Sequence, residues 1–147
     1  MSVIHVCGCD IFSLHRQAVI LPVDAKGAVY ADYEVSLNDR YPHEYQRYKE
    51  MCAAGELKRG DKVIFHTDDC LLIFVVIQES FLKLIRPRSI KQFLKAAMQE
   101  CIVRDIKTAA LPWLGLELQG NARRNLMDIY DEYLGASLPT RITVHAS

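Results

Sequence analysis

The stretch PWLGLELQGN, residues 112–121, combines residue types that could bind a phosphate group. It lies between a strand-like run and a helix-like run, where the N-terminal amides of the helix could face an anion. Glycines in such a loop would let the backbone approach a ligand closely, and this stretch contains only two, Gly115 and Gly120. Glu117 adds a carboxylate that would disfavour a pyrophosphate through like-charge repulsion.

Two earlier loops carry carboxylates in comparable positions. Asp10 follows the first strand-like run in CGCDIF, whereas Asp24, Gly27 and Asp32 follow the second in PVDAKGAVYAD. Ligands of open α/β sheets bind beyond the carboxyl ends of the strands, where such loops lie. Asp24 could bind ribose hydroxyls, act as a general base on a water, or pair with Lys26 or an arginine. Asp10 could bind a ligand or cap a turn.

Helical and strand-like patterns alternate along the chain that must position these loops. Apolar residues at three- and four-residue steps predict helices over 88–103 and 121–134, and a shorter stripe predicts one over 42–53. HTDD, residues 66–69, indicates a hairpin turn. Val- and Ile-rich runs predict strands at 3–7, 18–23, 62–66, 70–77, 106–111 and 141–145.

The order of these elements, β-β-α-ββ-α-β-α-β, predicts an α/β fold: a three-layer α/β/α sandwich with a mixed six-stranded central sheet. The 147 residues are enough for one domain, residues 1–147, with a sizeable core. Eighteen basic and 18 acidic residues cancel, so bulk charge directs the protein to neither nucleic acid nor anionic lipid. No apolar run reaches the roughly 18 residues of a membrane span.

The cysteines and histidines indicate no metal or disulfide framework. Five cysteines are an odd number and are spread along the chain, which favours a reduced, cytoplasmic setting. Cys7 and Cys9 are spaced C-x-C, but no second pair completes a zinc site, so we expect no metal and no cofactor. His5 and His145 lie in predicted strands, where a structural role is the simpler interpretation.

Aromatic and basic side chains near the loops have both a functional and a structural interpretation. Trp113 could stack on a base, although packing is the commoner role at the end of a strand. The tyrosines at 41, 45 and 48 share one face of a predicted helix and are expected in the core. RPR, residues 86–88, could meet a phosphate, but an exposed lead into a helix is favoured.

Two long segments resemble the macro domain family. They are YPHEYQRYKEMCAAGELKRGDKVIF, residues 41–65, and IKQFLKAAMQECIVRDIKTAALPWLG, residues 90–115. The frame ILPVDAKGAVYADYEVSLNDRYP, residues 20–42, also resembles the family and implies a helix that ends at Tyr41-Pro42. The subgroup most similar to this chain contains antitoxins that reverse ADP-ribosylation of DNA, and related glycohydrolases.

This resemblance implies a crevice that binds ADP-ribose or a related nucleotide, with Asp10 at the adenine amino group. It implies ligand contacts from Asp10, Ile11, Asp24, Gly27, Asp32, Leu114, Gly115, Leu116, Glu117, Leu118 and Gly120. Such a protein would bind a small nucleotide ligand and would not associate with a membrane. It would contact nucleic acid only as an ADP-ribosylated substrate. A protein partner is the alternative.

The loops depart from the family pattern. Asp24 stands where the family has asparagine, and Glu117 and Gln119 stand where it has glycine. FVVIQES, residues 74–80, lacks the lysine found in some glycohydrolases, and Lys83 comes several residues later. We therefore expect altered ligand preference with little or no catalysis. The alternative is an ADP-ribosyl glycohydrolase or phosphoesterase in which Asp24, alone or with Glu117, activates water.

Overall fold

A computed structural model describes residues 3–6, 9–115, 118–135 and 139–146, with side chains from residue 9 onward. One mixed sheet has the strand order β1-β6-β5-β2-β4-β3. Its strands are β1 (Val3–Val6), β2 (Ala18–Asp24), β3 (Lys62–His66), β4 (Leu71–Gln78), β5 (Thr108–Pro112) and β6 (Arg141–His145). The helices are α1 (Tyr33–Arg40), α2 (Pro42–Ala53), α3 (Pro87–Val103) and α4 (Gly120–Leu134), and a short 3-10 helix spans Ile11–Leu14.

Helices cover both faces of this sheet, which explains the unbroken apolar strands. Successive β2 residues alternate between two core clusters: Ala18 and Ile20 pack with α3 and α4, whereas Val19 and Leu21 pack with α1 and α2. All seven residues of β2 are buried. The predicted mixed α/β fold built on one sheet is confirmed.

The helix predictions from periodicity are confirmed for α2, α3 and α4 to within one residue at each end. The predicted hairpin is also present, since β3 and β4 are antiparallel and Thr67 N–H donates to the Cys70 carbonyl at 3.1 Å. The predicted element order lacked α1, which buries only Tyr33 and Leu37. Two buried residues are too few to give a helical stripe, although the family resemblance implied a helix there.

An ion-pair cluster joins α3 to β3, the edge strand of the sheet. Glu100 accepts from Lys62 Nζ at 2.9 Å and from Arg104 Nε at 2.7 Å. Burial raises the pKa of the Glu100 carboxyl, but the hydrogen bonds and charges of Lys62 and Arg104 outweigh burial and hold it below its ordinary value.

Except for the β3–β4 pair, neighbouring strands are parallel, so the carboxyl ends of five strands meet at one edge of the sheet. The loops that follow β2, β4 and β5 all leave from this edge. None of the helices in the described part of the chain is long and apolar enough to cross a bilayer.

Candidate functional site

A crevice of about 430 Å³ opens at the carboxyl edge of the sheet. The loops after β2, β4 and β5 form its walls, together with the first turn of α3. The lining residues are Val29, Tyr30, Ala31, Phe81, Lys83, Leu84, Ile85, Ile90, Leu114 and Leu118. From the sequence, a site was predicted at the loops after β2 and β5 but not at the loop after β4.

The loop after β2 folds back along its own strand. Tyr30 N–H donates to the Pro22 carbonyl at 3.1 Å, and Asp24 N–H donates to the Ala28 carbonyl at 3.0 Å. Gly27 closes the turn with φ +102°, a conformation that L side chains rarely adopt. The fold-back directs the chain from Val29 onward into the crevice wall. Gly27 itself shapes the turn and is not among the lining residues described.

The Asp24 carboxylate organises this loop from within. It is only 2% exposed, and its Oδ1 accepts from the backbone N–H groups of Lys26 at 2.9 Å and Ala28 at 2.8 Å. Its Oδ2 accepts from the Phe81 N–H, on the loop after β4, at 2.9 Å. Asp24 thus pairs with the backbone of Lys26, whereas the Lys26 ammonium lies 3.4 Å from Glu79.

Two tyrosines of α2 support the same loop from the core. Tyr48 donates its hydroxyl to the carbonyls of Asp24 at 2.6 Å and Ala28 at 3.1 Å, and the Tyr45 hydroxyl donates to the Gly27 carbonyl at 3.3 Å. Burial raises the pKa of both hydroxyls above its ordinary value, which keeps them protonated and able to donate. The predicted core position of these tyrosines is confirmed.

The loop after β4 supplies the wall that the sequence analysis missed. The Gln78 side-chain amide donates to the carbonyls of Ser80 at 2.7 Å and Lys83 at 3.0 Å, which folds the loop over the end of its strand. Phe81 then meets Tyr30 edge to face, with ring centroids 6.5 Å apart. Lys83 comes several residues later than the lysine of the family pattern, yet it lines the crevice. It is the one charged side chain among the described lining residues.

The loop after β5 uses its backbone amides internally. Leu114 N–H donates to the Tyr130 hydroxyl at 3.0 Å, Trp113 N–H donates to the His145 carbonyl at 2.8 Å, and Leu118 N–H donates to the Gly115 carbonyl at 3.1 Å. Leu114 and Leu118 line the crevice with apolar surface.

The ring of Trp113 is 3% exposed and packs 4.8 Å from the Tyr130 ring, so the packing interpretation of this tryptophan is confirmed. Gly115 beside it is buried as well. Gly120 adopts φ +60° at the start of α4 and is exposed. Leu116 and Glu117, which the resemblance placed at the ligand, lie outside the described residues.

The remaining predicted ligand residues lie on neighbouring loops and are not among the lining residues described. Asp10 caps the 3-10 helix by accepting from Phe12 N–H at 3.0 Å, and its other oxygen accepts from Arg40 Nε at 3.1 Å. Ile11 is 1% exposed and belongs to the core. Asp32 is exposed just before α1 and makes no side-chain cap bond.

The histidine and cysteine positions give no metal centre in the described residues, where no three His, Cys, Asp or Glu side chains gather closely enough to hold an ion. His145 is buried, and its ring joins the Tyr33 hydroxyl at 2.9 Å to the Cys9 carbonyl, which confirms its structural interpretation. Cys7 lies outside the described residues, and of His5 only the backbone is described.

Comparison with solved structures identifies the fold. The DarG macrodomain of Thermus aquaticus aligns with TM-score 0.81 and 17% identity over 98% of this chain and 97% of that one. The DarG macrodomain of Mycobacterium tuberculosis gives TM-score 0.82 and 15% identity over 98% and 97%. Thermosipho africanus DarTG, solved in complex with ADP-ribose, gives TM-score 0.77 and 15% identity over 98% of this chain and 42% of that one.

No protein-family model matches the sequence, and no curated protein sequence matches it either. The structural similarity covers nearly the whole chain and confirms the macro domain fold that the sequence resemblance indicated. At these identities, the similarity shows the fold alone.

Proposed function

We propose that this macrodomain fold binds an ADP-ribose-like or other nucleotide-derived ligand in the crevice at the carboxyl edge of the sheet, as one domain over residues 1–147. The observation that carries the proposal is the crevice of about 430 Å³ formed by the loops after β2, β4 and β5. Pockets of roughly 300–1,000 Å³ at the strand ends of α/β folds are the usual sites for such ligands. A structural neighbour, Thermosipho africanus DarTG, was solved with ADP-ribose.

The side chains of the crevice suit a ligand with one flat apolar part and one anionic group. Tyr30 and Phe81 present aromatic surface, and Leu114 and Leu118 line the wall formed by the loop after β5. Lys83 supplies a positive charge among these apolar groups. A phosphate could meet Lys83 while a base or sugar packs against the aromatic wall.

The ligand preference differs from that of a glycine-rich phosphate cradle. Such a cradle offers free backbone N–H groups to two phosphates. Here the amides of Lys26 and Ala28 bind the Asp24 carboxylate, and the Leu114 amide binds the Tyr130 hydroxyl. We therefore expect free ADP-ribose to bind weakly, because fewer amides remain for its pyrophosphate.

Binding is favoured over hydrolysis by the surroundings of Asp24. A general base needs an oxygen within hydrogen-bond reach of the attacking water. Both carboxylate oxygens of Asp24 accept from backbone amides, and the residue is 2% exposed. These contacts support a module with little or no catalysis, and Asp10, 31% exposed at its side chain, remains the proposed contact for an adenine amino group.

The experiment is calorimetric titration with ADP-ribose, AMP, NAD and cyclic nucleotides, after a thermal-shift screen of the same compounds. At saturation, a ligand of the native state raises the apparent stability of the protein. Lys83→Met keeps the aliphatic chain but removes the charge, and it should weaken a phosphate-bearing ligand about tenfold or more. Lys95→Met, on the exposed side of α3, is the matched control and should leave affinity unchanged.

The preference for ligands other than ADP-ribose has its own test in a glycine-restored loop. The double variant Glu117→Gly, Gln119→Gly should bind ADP-ribose more tightly than the unmodified protein, because it frees the backbone for close approach. Micromolar or tighter binding of ADP-ribose by the unmodified protein would refute the altered preference. Absence of binding for every nucleotide tested would refute the proposed function itself.

A further inference from the structure

Two walls of the crevice meet at a single buried carboxylate. Asp24 is the last residue of β2, and Ala28, whose amide it binds at 2.8 Å, directly precedes the wall residues Val29 to Ala31. Asp24 also binds the amide of Phe81 at 2.9 Å, and Phe81 lines the crevice from the loop after β4. Asp24 therefore connects the start of one wall to the start of another.

These amides would otherwise form an anion-binding concavity. Backbone N–H groups that converge in a turn attract a negatively charged group. In this chain the negatively charged group is the protein's own side chain, which receives three N–H donors within 3.0 Å. A ligand phosphate must consequently find its partner elsewhere, and Lys83 is the charged side chain that lines the crevice.

We propose that Asp24 is a positioning residue: its carboxylate fills the amide concavity of the first loop, fastens that loop to the loop after β4, and thereby shapes the crevice before a ligand arrives. This inference rests on the proposed function for its effect on ligands, but the fastening itself is a property of the free protein. Asp24 acts through the Ala28 and Phe81 backbone and needs no contact with the ligand.

The test compares Asp24→Asn with Glu79→Gln. Asparagine keeps the shape of aspartate, but its NH₂ group cannot accept a hydrogen bond, so at least one of the three amides loses its partner. Glu79→Gln breaks the Lys26–Glu79 ion pair, which joins the same two loops through side chains that are 65% and 68% exposed. The control thus removes an exposed side-chain link between the loops while the hydrogen bonds of the Asp24 carboxylate remain, and the backbone bonds from Ala25 N–H to the Gln78 and Glu79 carbonyls are present in both variants.

The first measurement is amide hydrogen exchange by NMR on the ligand-free protein. In Asp24→Asn, the amide of Phe81, Lys26 or Ala28 should exchange at least about tenfold faster, while the β4 amides keep their protection. Glu79→Gln should leave the exchange rates of the loop amides and of the β4 amides unchanged. Unchanged exchange at all three amides of a folded Asp24→Asn protein would overturn the proposal.

The second measurement uses the unmodified protein, so it remains informative if Asp24→Asn does not fold. In the unmodified protein, a scalar coupling across the hydrogen bond should join the Phe81 amide nitrogen to the Asp24 carboxyl carbon. If Asp24→Asn is unfolded and this coupling is absent, the fastening does not exist and the proposal is overturned.

The third measurement is affinity, with ADP-ribose and AMP as probes. Whichever probe binds the unmodified protein should bind Asp24→Asn at least about tenfold more weakly, because the walls are no longer held, and Glu79→Gln should bind it normally. Faster amide exchange with unchanged affinity would overturn the claim that Asp24 shapes the crevice for its ligand. If neither probe binds the unmodified protein, the failure belongs to the proposed function for those nucleotides, and exchange still decides the fastening.

Discussion

Replacing Gly115 by alanine tests why the loop after β5 keeps this glycine. An added Cβ would lie 2.7 Å from Leu126 Cδ2 and 2.8 Å from the Cε2 and Cζ2 atoms of Trp113. Carbon atoms at optimal separation are about 3.5–4.0 Å apart, so all three contacts are too short by roughly 0.7 Å or more. Leu126 and Trp113 are each only 3% exposed and pack in the core, which leaves them little room to move.

The expected cost of Gly115→Ala is about 1–3 kcal/mol, the range for overpacking a filled core. Backbone strain adds nothing, because Gly115 is not among the glycines with positive φ. Urea denaturation measures the free energy of unfolding. The cost should shrink by at least about 0.5 kcal/mol in a Leu126→Ala background, where one clashing methyl is absent.

A loss below about 0.5 kcal/mol in the single variant would refute this explanation, since that is the range of uncoupled surface changes. Gly115 would then be free to relax, and its place in the loop would have to be explained by backbone approach to a ligand. The Leu126→Ala background gives a second criterion, because undiminished cost there would show that the clash lies elsewhere.

Three further outcomes are expected. Phe93→Ala or Leu94→Ala, in fully buried positions of α3, should each cost about 2–5 kcal/mol in urea denaturation; losses under about 0.5 kcal/mol at both would show an exposed stripe. Glu100→Gln should cost about 1–2 kcal/mol near neutral pH. Because the pKa of Glu100 is lowered in the folded state, this stabilisation is present above the unfolded pKa and disappears as the pH falls through the folded pKa. The free energies of unfolding of the two proteins, measured against pH, should therefore converge in acid. Asp10→Ala should weaken any adenine nucleotide that binds by about 1–3 kcal/mol in calorimetry, while Arg40→Ala, which removes only the ion-pair partner, should not.

The scaffold was predictable from the sequence where burial leaves a periodic pattern. α3 buries Ile90, Phe93, Leu94 and Ala97 on one side, and this spacing predicted its bounds closely. β2 is covered on both faces, so its continuous apolar run marked it as an interior strand. α1 lies largely in solvent and buries too little to leave such a pattern.

The site was less predictable because its residues act through backbone geometry. The sequence allowed Asp24 to be a base, a ribose ligand or an ion-pair partner of Lys26; its observed partners are three backbone amides, which no side-chain pattern reveals. Lys83 stands several residues later than the lysine of the family pattern, and distance along the chain does not show which residues a folded loop brings to the crevice. The bonds from Gln78 to Ser80 and Lys83 fold the loop and place Lys83 at the crevice.

The rule that ligands of α/β sheets bind at the carboxyl ends of the strands also predicts a crevice wall in the loop after β4. FLKLI, residues 81–85, follows β4 at the same edge as the other two loops. This run contains neither the glycines nor the carboxylates that mark the loops after β2 and β5. In a crevice lined mainly by apolar groups, however, a run of apolar residues around one lysine is itself the signal.

A binding experiment alone does not distinguish a variant that removes a ligand contact from a variant that removes a support of the crevice wall. Lys83 lines the crevice from an exposed position, so its loss should lower affinity while the melting temperature stays nearly constant. Asp24 is 2% exposed and satisfies three buried donors, so its loss should lower affinity and melting temperature together. A crevice whose walls are fixed by the fold also loses little conformational freedom when it is occupied, which favours affinity without new contacts. Measuring both quantities for both variants therefore distinguishes a ligand contact from the framework that holds the contact in place.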